Sequence, residues 1–222
     1  DSRYAGTADH PPTPFDAGWG AYGVQLFFLI SGFVILLSAR RSKAPSDFVI
    51  SRVSRLYPAY WIALIMSIAI TVWTNMPHTQ MSWTDRLLNF TMVQRWFLVD
   101  NIDNVYWTLA IEMQFYVLIA ALLWLTRARL TDRLVRIIGV SWLLVALAVA
   151  IWAFPASHGL DPQAVATPVK LVLNATLAEW GPLFVAGMFA FLARTTGRGW
   201  GWVLVAMAVS VTNAYLLEKP IT

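Results

Sequence analysis

Uninterrupted apolar runs constrain this chain more than any other feature. From Ile137 to Phe154 eighteen consecutive residues carry no charge. Five further runs are long and mostly apolar, at about Trp19–Ser38, Leu56–Asn75, Tyr106–Leu125, Leu177–Arg194 and Trp200–Leu217, with charges only at Glu112, Glu179 and Arg194. A bilayer core of about 30 Å takes ~20 apolar residues to cross as a helix. Helices are also the form in which such runs satisfy their own backbone in lipid. The expected fold is therefore all-α, a polytopic transmembrane bundle of about six spans. Composition agrees, since only 13% of residues are charged against roughly 25% in soluble domains. The twelve Trp suit interfacial belts.

The Lys and Arg between the runs set an orientation. Alternate loops collect eleven of them (Arg40, Arg41, Lys43, Arg52, Arg55, Arg127, Arg129, Arg133, Arg136, Arg194, Arg198) against five on the other side. The richer side is expected in the cytoplasm. Residues 1–222 then read as one transmembrane domain, with a polar, Pro-rich extracytoplasmic segment at residues 1–18. No secretory signal opens the chain. A segment that begins outside needs an earlier span to carry it across, so the sequence is expected to be a fragment lacking its first span. The connections Met76–Val105 and Pro155–Thr176 are expected outside, facing substrate.

The sequence argues against some function classes. The basic residues lie in short loops rather than on one face of a soluble module, so nucleic acid is not an expected partner. Cys is absent, and no metal-ligand spacing, nucleophile elbow or phosphate loop occurs.

Glu112 is the sharpest candidate. Six residues into its span, it sits ~9 Å below the outer end, where a carboxylate costs at least ~2–3 kcal/mol. Thr108, Glu112, Phe115 and Tyr116 share a helical face, which would set a hydroxyl above the carboxylate and a phenol below it. Glu112 reads as a general base or an orienter of an acyl acceptor, or else as a structural carboxylate bonded to a neighbouring helix. Arg52 and Arg55, three apart on a short amphipathic helix from Ser46 to Leu56, would point the same way. They could grip a phosphate-rich ligand, or merely mark the positive-inside side and contact anionic lipid. Ser46 or Asp47 would cap that helix, and Pro58 would open the next. Gly32 and Ser31 permit close helix approach. Gly187 reads as a helix contact and Glu179 as an interfacial group. His10, His78 and His158 fall in outside segments and read as solvated.

Three stretches together resemble the membrane-bound acyltransferase family 3. They are Gly23-Val24-x-Leu26-Phe27-Phe28-x-x-Ser31-Gly32-Phe33, then Arg52-x-x-Arg55 with Tyr57-Pro58-x-Tyr60, then Trp107-Thr108-Leu109-x-x-Glu112-x-x-Phe115-Tyr116, with a weaker echo in Phe184-x-x-Gly187. The resemblance implies an enzyme of the bacterial inner membrane. It would move an acyl group, often acetyl, from cytoplasmic acyl-coenzyme A (acetyl-CoA) to a hydroxyl of a carbohydrate or lipid-linked glycan outside. It implies Arg52 and Arg55 on the coenzyme's phosphates and Glu112, Trp107 and Tyr116 around the transfer site. It also implies a catalytic His in a preceding span, so that this segment alone would be inactive. The rival reading is a transporter or exporter of a glycan or acyl donor using Glu112 for proton coupling. No repeated halves of the kind common in transporters are present. A scaffold without chemistry would leave Glu112 and the Arg pair unexplained.

Overall fold

The computed structural model describes residues 19–74, 81–158 and 167–217. Its elements are α1 (Trp19–Arg41), α2 (Pro45–Thr74), α3 (Trp83–Asn89), α4 (Trp107–Leu125), α5 (Asp132–His158), α6 (Thr167–Thr176), α7 (Gly181–Thr196) and α8 (Trp200–Leu216). The polytopic all-α bundle stands: five stretches are long and apolar enough to cross a membrane. They are Tyr22–Arg41, Pro45–Trp73, Trp107–Leu125, Asp132–Phe154 and Thr167–Thr196. The sixth expected span, α8, has 17 residues, at the short end of what a bilayer accepts.

Helix direction alternates as the threading requires. Phe28 and Ser31 of α1 meet Trp107 and Glu112 of α4 in the same order along both chains, so the two helices run parallel. Phe48 and Tyr60 of α2 meet Tyr116 and Tyr106 in reverse order, so α2 runs antiparallel to α4. At one end of the bundle Arg40, in the last turn of α1, donates to Asp132 in the first turn of α5 at 2.6 Å. Each charge also suits the dipole of its own helix.

The most extensive packing joins α1 to α7, and two glycines explain it. A Cβ on Gly32 would collide with the backbone carbonyl of Phe184, and one on Gly187 with the carbonyl of Leu29. In lipid no hydrophobic force drives helices together, so dispersion across such close contacts must do it. Both glycines were expected as contact residues, and both are.

The short helix at Ser46–Leu56 and the following span are not separate. They form one 30-residue helix, α2, with Pro58 inside it. Pro58 removes a single backbone donor, and the helix continues past it. Its start is tied by Asp47, whose carboxylate accepts from the Ala44 N–H at 3.0 Å.

The connection after α2 also departs from expectation. Instead of standing off as a loop, it runs back along α2. An apolar cleft of about 620 Å³ lies between Ile65, Ile68 and Val72 of α2 and Trp83 and Leu87 of α3. Tyr57, Tyr60 and Trp61 donate to the carbonyls of Thr91, Asn89 and Phe90 at 2.9, 2.6 and 3.1 Å. Tyr57 is seventeen residues from the far end of α2, or ~25 Å. Asn89, fully buried, donates to the carbonyls of Asp85 and Asp100 and accepts from the Ile102 N–H. Non-helical backbone at such depth must find its partners inside the protein, and these side chains supply them.

The fifth expected span, read from Leu177, lies within a longer apolar stretch that begins at Thr167, and its helix α7 starts at Gly181. Leu177, with a φ of 50°, interrupts the run between α6 and α7. The break is held from two sides. Trp142 Nε1 of α5 donates to the Thr176 carbonyl at 2.8 Å, and Asn213 Nδ2 of α8 donates to that of Ala178 at 2.7 Å.

Candidate active site

α4 has the continuous buried run Ala110–Tyr116, so its polar groups must find partners within the bundle. Glu112 is 6% exposed. Its Oε1 accepts from Tyr116 OH at 2.7 Å, one turn along, and from Ser31 Oγ of α1 at 3.1 Å. Oε2 makes no hydrogen bond to a described residue. Both hydrogen bonds thus fall on one carboxylate oxygen.

The expected face of α4 divides. Tyr116 stays with Glu112. Thr108 does not, because its Oγ1 turns back to the Val105 carbonyl at 3.5 Å. Phe115 points elsewhere and stacks on Phe184, with centroids 4.0 Å apart. The hydroxyl beside the carboxylate comes instead from Ser31, which the sequence suggested only as a small packing residue. Its signal was a lone hydroxyl in an apolar run, one residue before the glycine that lets α7 approach.

Arg52 reaches this centre. It is buried, with its guanidinium carbon 5.5 Å from the Tyr116 ring and 5.6 Å from the Phe48 ring. Such placement over aromatic faces favours a cation. Its Nε has no hydrogen-bond partner. Arg55 is exposed, so the two guanidiniums do not share a direction: one turns under α4 and the other turns out. Arg52 and Glu112 were expected near opposite membrane faces with a long path between them. They are instead joined through the single side chain of Tyr116.

Trp107 opens α4 and lies away from the carboxylate. Its ring centroid is 6.1 Å from Phe28 and 5.2 Å from Trp180. Glu179, which precedes Trp180 in the chain, belongs to a pair that the sequence did not reveal. Arg95 donates through Nε to Asn174 Oδ1 at 3.0 Å, and its terminal nitrogen lies 3.9 Å from Glu179 Oε2. Burial lowers the Arg95 guanidinium from its ordinary range, and the Glu179 carboxylate opposes that shift. Glu179 is largely buried in the α6–α7 break, with a side chain only 12% exposed. His10 and His78, and the side chain of His158, lie outside the described residues.

A buried carboxylate, phenol and guanidinium thus lie in one line inside the helical bundle of an integral membrane protein. The chain belongs to acyltransferase family 3, whose acyltransferase domain matches residues 3–217. It is 27% identical over 211 residues to acyltransferase MdmB of Streptomyces mycarofaciens, covering 88% of this chain and 52% of that protein. It is 33% identical over 118 residues to the exopolysaccharide production protein ExoZ of Rhizobium meliloti (strain 1021), covering 49% of this chain and 36% of that one. Nodulation protein 10 of Rhizobium leguminosarum bv. viciae is 28% identical over 127 residues, covering 49% and 35%. The chain spans about half or less of the length of these relatives. No solved structure matches it.

Proposed function

We propose that this chain carries the bundle of an O-acyltransferase of the bacterial inner membrane. The donor is cytoplasmic acyl-CoA, in particular acetyl-CoA, and the acceptor is a hydroxyl of an extracytoplasmic carbohydrate or lipid-linked glycan. The observation that carries the reading is the line Arg52–Tyr116–Glu112–Ser31. It sets a cation suited to phosphate one side chain away from a carboxylate with a free oxygen. The name of ExoZ, which concerns exopolysaccharide production, supports a glycan acceptor, and membership of an acyltransferase family favours chemistry over export.

The reaction is an exchange of ester for thioester. The acceptor oxygen attacks the acyl carbonyl while Glu112 Oε2 takes the hydroxyl proton. The carbon–sulfur bond breaks, and the proton passes to the departing thiolate, giving the ester and free coenzyme A. Ser31 and Tyr116 hold Oε1 so that Oε2 faces the acceptor. Arg52 and the exposed Arg55 engage the coenzyme's phosphates, and Trp107 closes the far side of the transfer site. The test is the mass of glycans from cells expressing the complete gene, compared with Glu112→Gln and Arg52→Ala. Loss of the acyl increment in both is expected; unchanged acylation in both overturns the assignment.

A further inference from the structure

The cleft between α2 and α3 is open space at the surface of the bundle. Its volume of about 620 Å³ falls within the ~300–1,000 Å³ of ligand pockets. Ile65, Ile68 and Val72 line it from α2, and Trp83 and Leu87 from α3. Such walls suit a hydrocarbon chain. They would leave the hydroxyls of a bare sugar without partners, which is costly. From Ile65 to Trp73 the cleft follows eight residues of α2, or ~12 Å. Its second wall is held in place. Tyr60 and Trp61 fix the carbonyls of Asn89 and Phe90, and Ser82 caps the start of α3 by accepting from the Asp85 N–H at 3.1 Å.

One charge stands in this apolar setting. Among the described lining residues Arg86 alone is charged. It is half-buried, and its guanidinium carbon lies 4.8 Å from the centroid of the Trp83 ring. It makes no ion pair or hydrogen bond to a described residue. An arginine set against hydrocarbon is costly unless an anion meets it, and the planar guanidinium matches phosphate. Cleft and charge together complement a hydrocarbon chain with a phosphate at its head.

The cleft is also tied to the start of α4. Ser67, the neighbour of Ile68 in the chain, shares a hydrogen bond with Tyr106 OH at 2.8 Å, and Tyr106 directly precedes Trp107. Arg52, assigned above to the donor, is thirteen residues of α2 before Ile65, or ~20 Å. The two ends of α2 thus offer separate places for two substrates.

We infer that the α2–α3 cleft seats the hydrocarbon chain of a lipid-linked acceptor, and that Arg86 pairs with the phosphate joining this chain to its glycan. The inference rests on the acyltransferase reading, and within it selects a lipid-linked glycan over a free carbohydrate.

The test uses protein purified from the complete gene in detergent, with dodecyl phosphate as probe and dodecanol as its uncharged counterpart. Native mass spectrometry counts the bound molecules. Wild type is expected to hold the phosphate at least tenfold more tightly than the alcohol. Arg86→Gln is expected to erase that difference. Leu87→Trp, which fills the cleft from an exposed position, is expected to weaken both ligands at least tenfold. Thermal midpoints report that the variants fold, and in cells both are expected to lower glycan acylation at least tenfold. Glu112→Gln is expected to bind the probe as wild type does. Failure of the transfer chemistry therefore shows as unchanged glycan mass in Glu112→Gln, and failure of the seat as unchanged probe binding in a folded Arg86→Gln. Equal binding of phosphate and alcohol by wild type also overturns the inference. So does displacement of the probe by an equal concentration of phosphatidylglycerol, which would make the cleft a site for bulk lipid.

Discussion

Ser31 on α1 donates its hydroxyl to Glu112 on α4 at 3.1 Å, across 81 positions of sequence. Tyr116 donates to the same oxygen at 2.7 Å, and that shared acceptor gives a graded set of outcomes. Hydrogen bonds to charged groups contribute ~1.5–3 kcal/mol. Ser31→Ala and Tyr116→Phe should each lower glycan acylation roughly tenfold to a hundredfold. Glu112→Gln should lower it by about 10²–10⁴, the scale of general acid–base catalysis. Equal losses in all three would show that the two donors do more than orient the carboxylate.

The α1–α7 contact predicts opposite behaviour for glycines of one helix. Gly32→Ala must displace the Phe184 carbonyl, whereas a Cβ at Gly23 meets nothing within 4 Å. Overpacking should destabilise the first by about 1–3 kcal/mol. Thermal unfolding in detergent should show Gly32→Ala and Gly187→Ala well below wild type and Gly23→Ala close to it.

The connection lying along α2 depends on Asn89. Replacing it with Ala leaves the carbonyls of Asp85 and Asp100 and the Ile102 N–H without their side-chain partner. Each unsatisfied buried group costs about 1–3 kcal/mol. Hydrogen exchange by mass spectrometry should report faster exchange at residues 83–102 in Asn89→Ala. Tyr60→Phe, which removes one bond, should have a smaller effect. Unchanged protection in Asn89→Ala would mean that apolar packing alone seats the segment.

Arg52 and Arg55 should separate kinetically. Arg52 is buried against Phe48 and Tyr116, so Arg52→Lys loses the planar contact with both rings. It should raise KM for acyl-CoA about tenfold. Arg55, exposed, should tolerate Lys with a change of less than about threefold, as expected of a screened surface charge. The measurement is initial rate against acyl-CoA concentration at fixed acceptor. A larger effect at Arg55 would reverse their roles.

The Arg40–Asp132 pair is only part-buried, and exposed ion pairs contribute ~0–1 kcal/mol. Asp132→Asn should therefore shift the detergent unfolding midpoint only slightly. A large drop would show that this pair, rather than helix packing, fixes the α1–α5 end of the bundle.

The sequence by itself determined the helical membrane architecture, because runs such as Ile137–Phe154 carry no charge to keep them in water and lipid demands an internally satisfied backbone. It also marked Gly32 and Gly187 as contact positions, since glycine permits backbones to approach. It singled out Glu112 and Tyr116 as neighbours one helical turn apart. Local periodicity could not decide what depends on a second helix. The partner hydroxyl on Ser31, the divergence of Arg52 from Arg55 and the return of residues 83–106 along α2 follow from packing between distant segments. The α6–α7 break was equally hidden, because residues 177–180 read as the start of a span until Trp142 and Asn213 are seen holding the carbonyls of Thr176 and Ala178. Hydropathy reports how much of a residue is at home in lipid. Which neighbour a buried polar group satisfies is settled only when the helices are assembled.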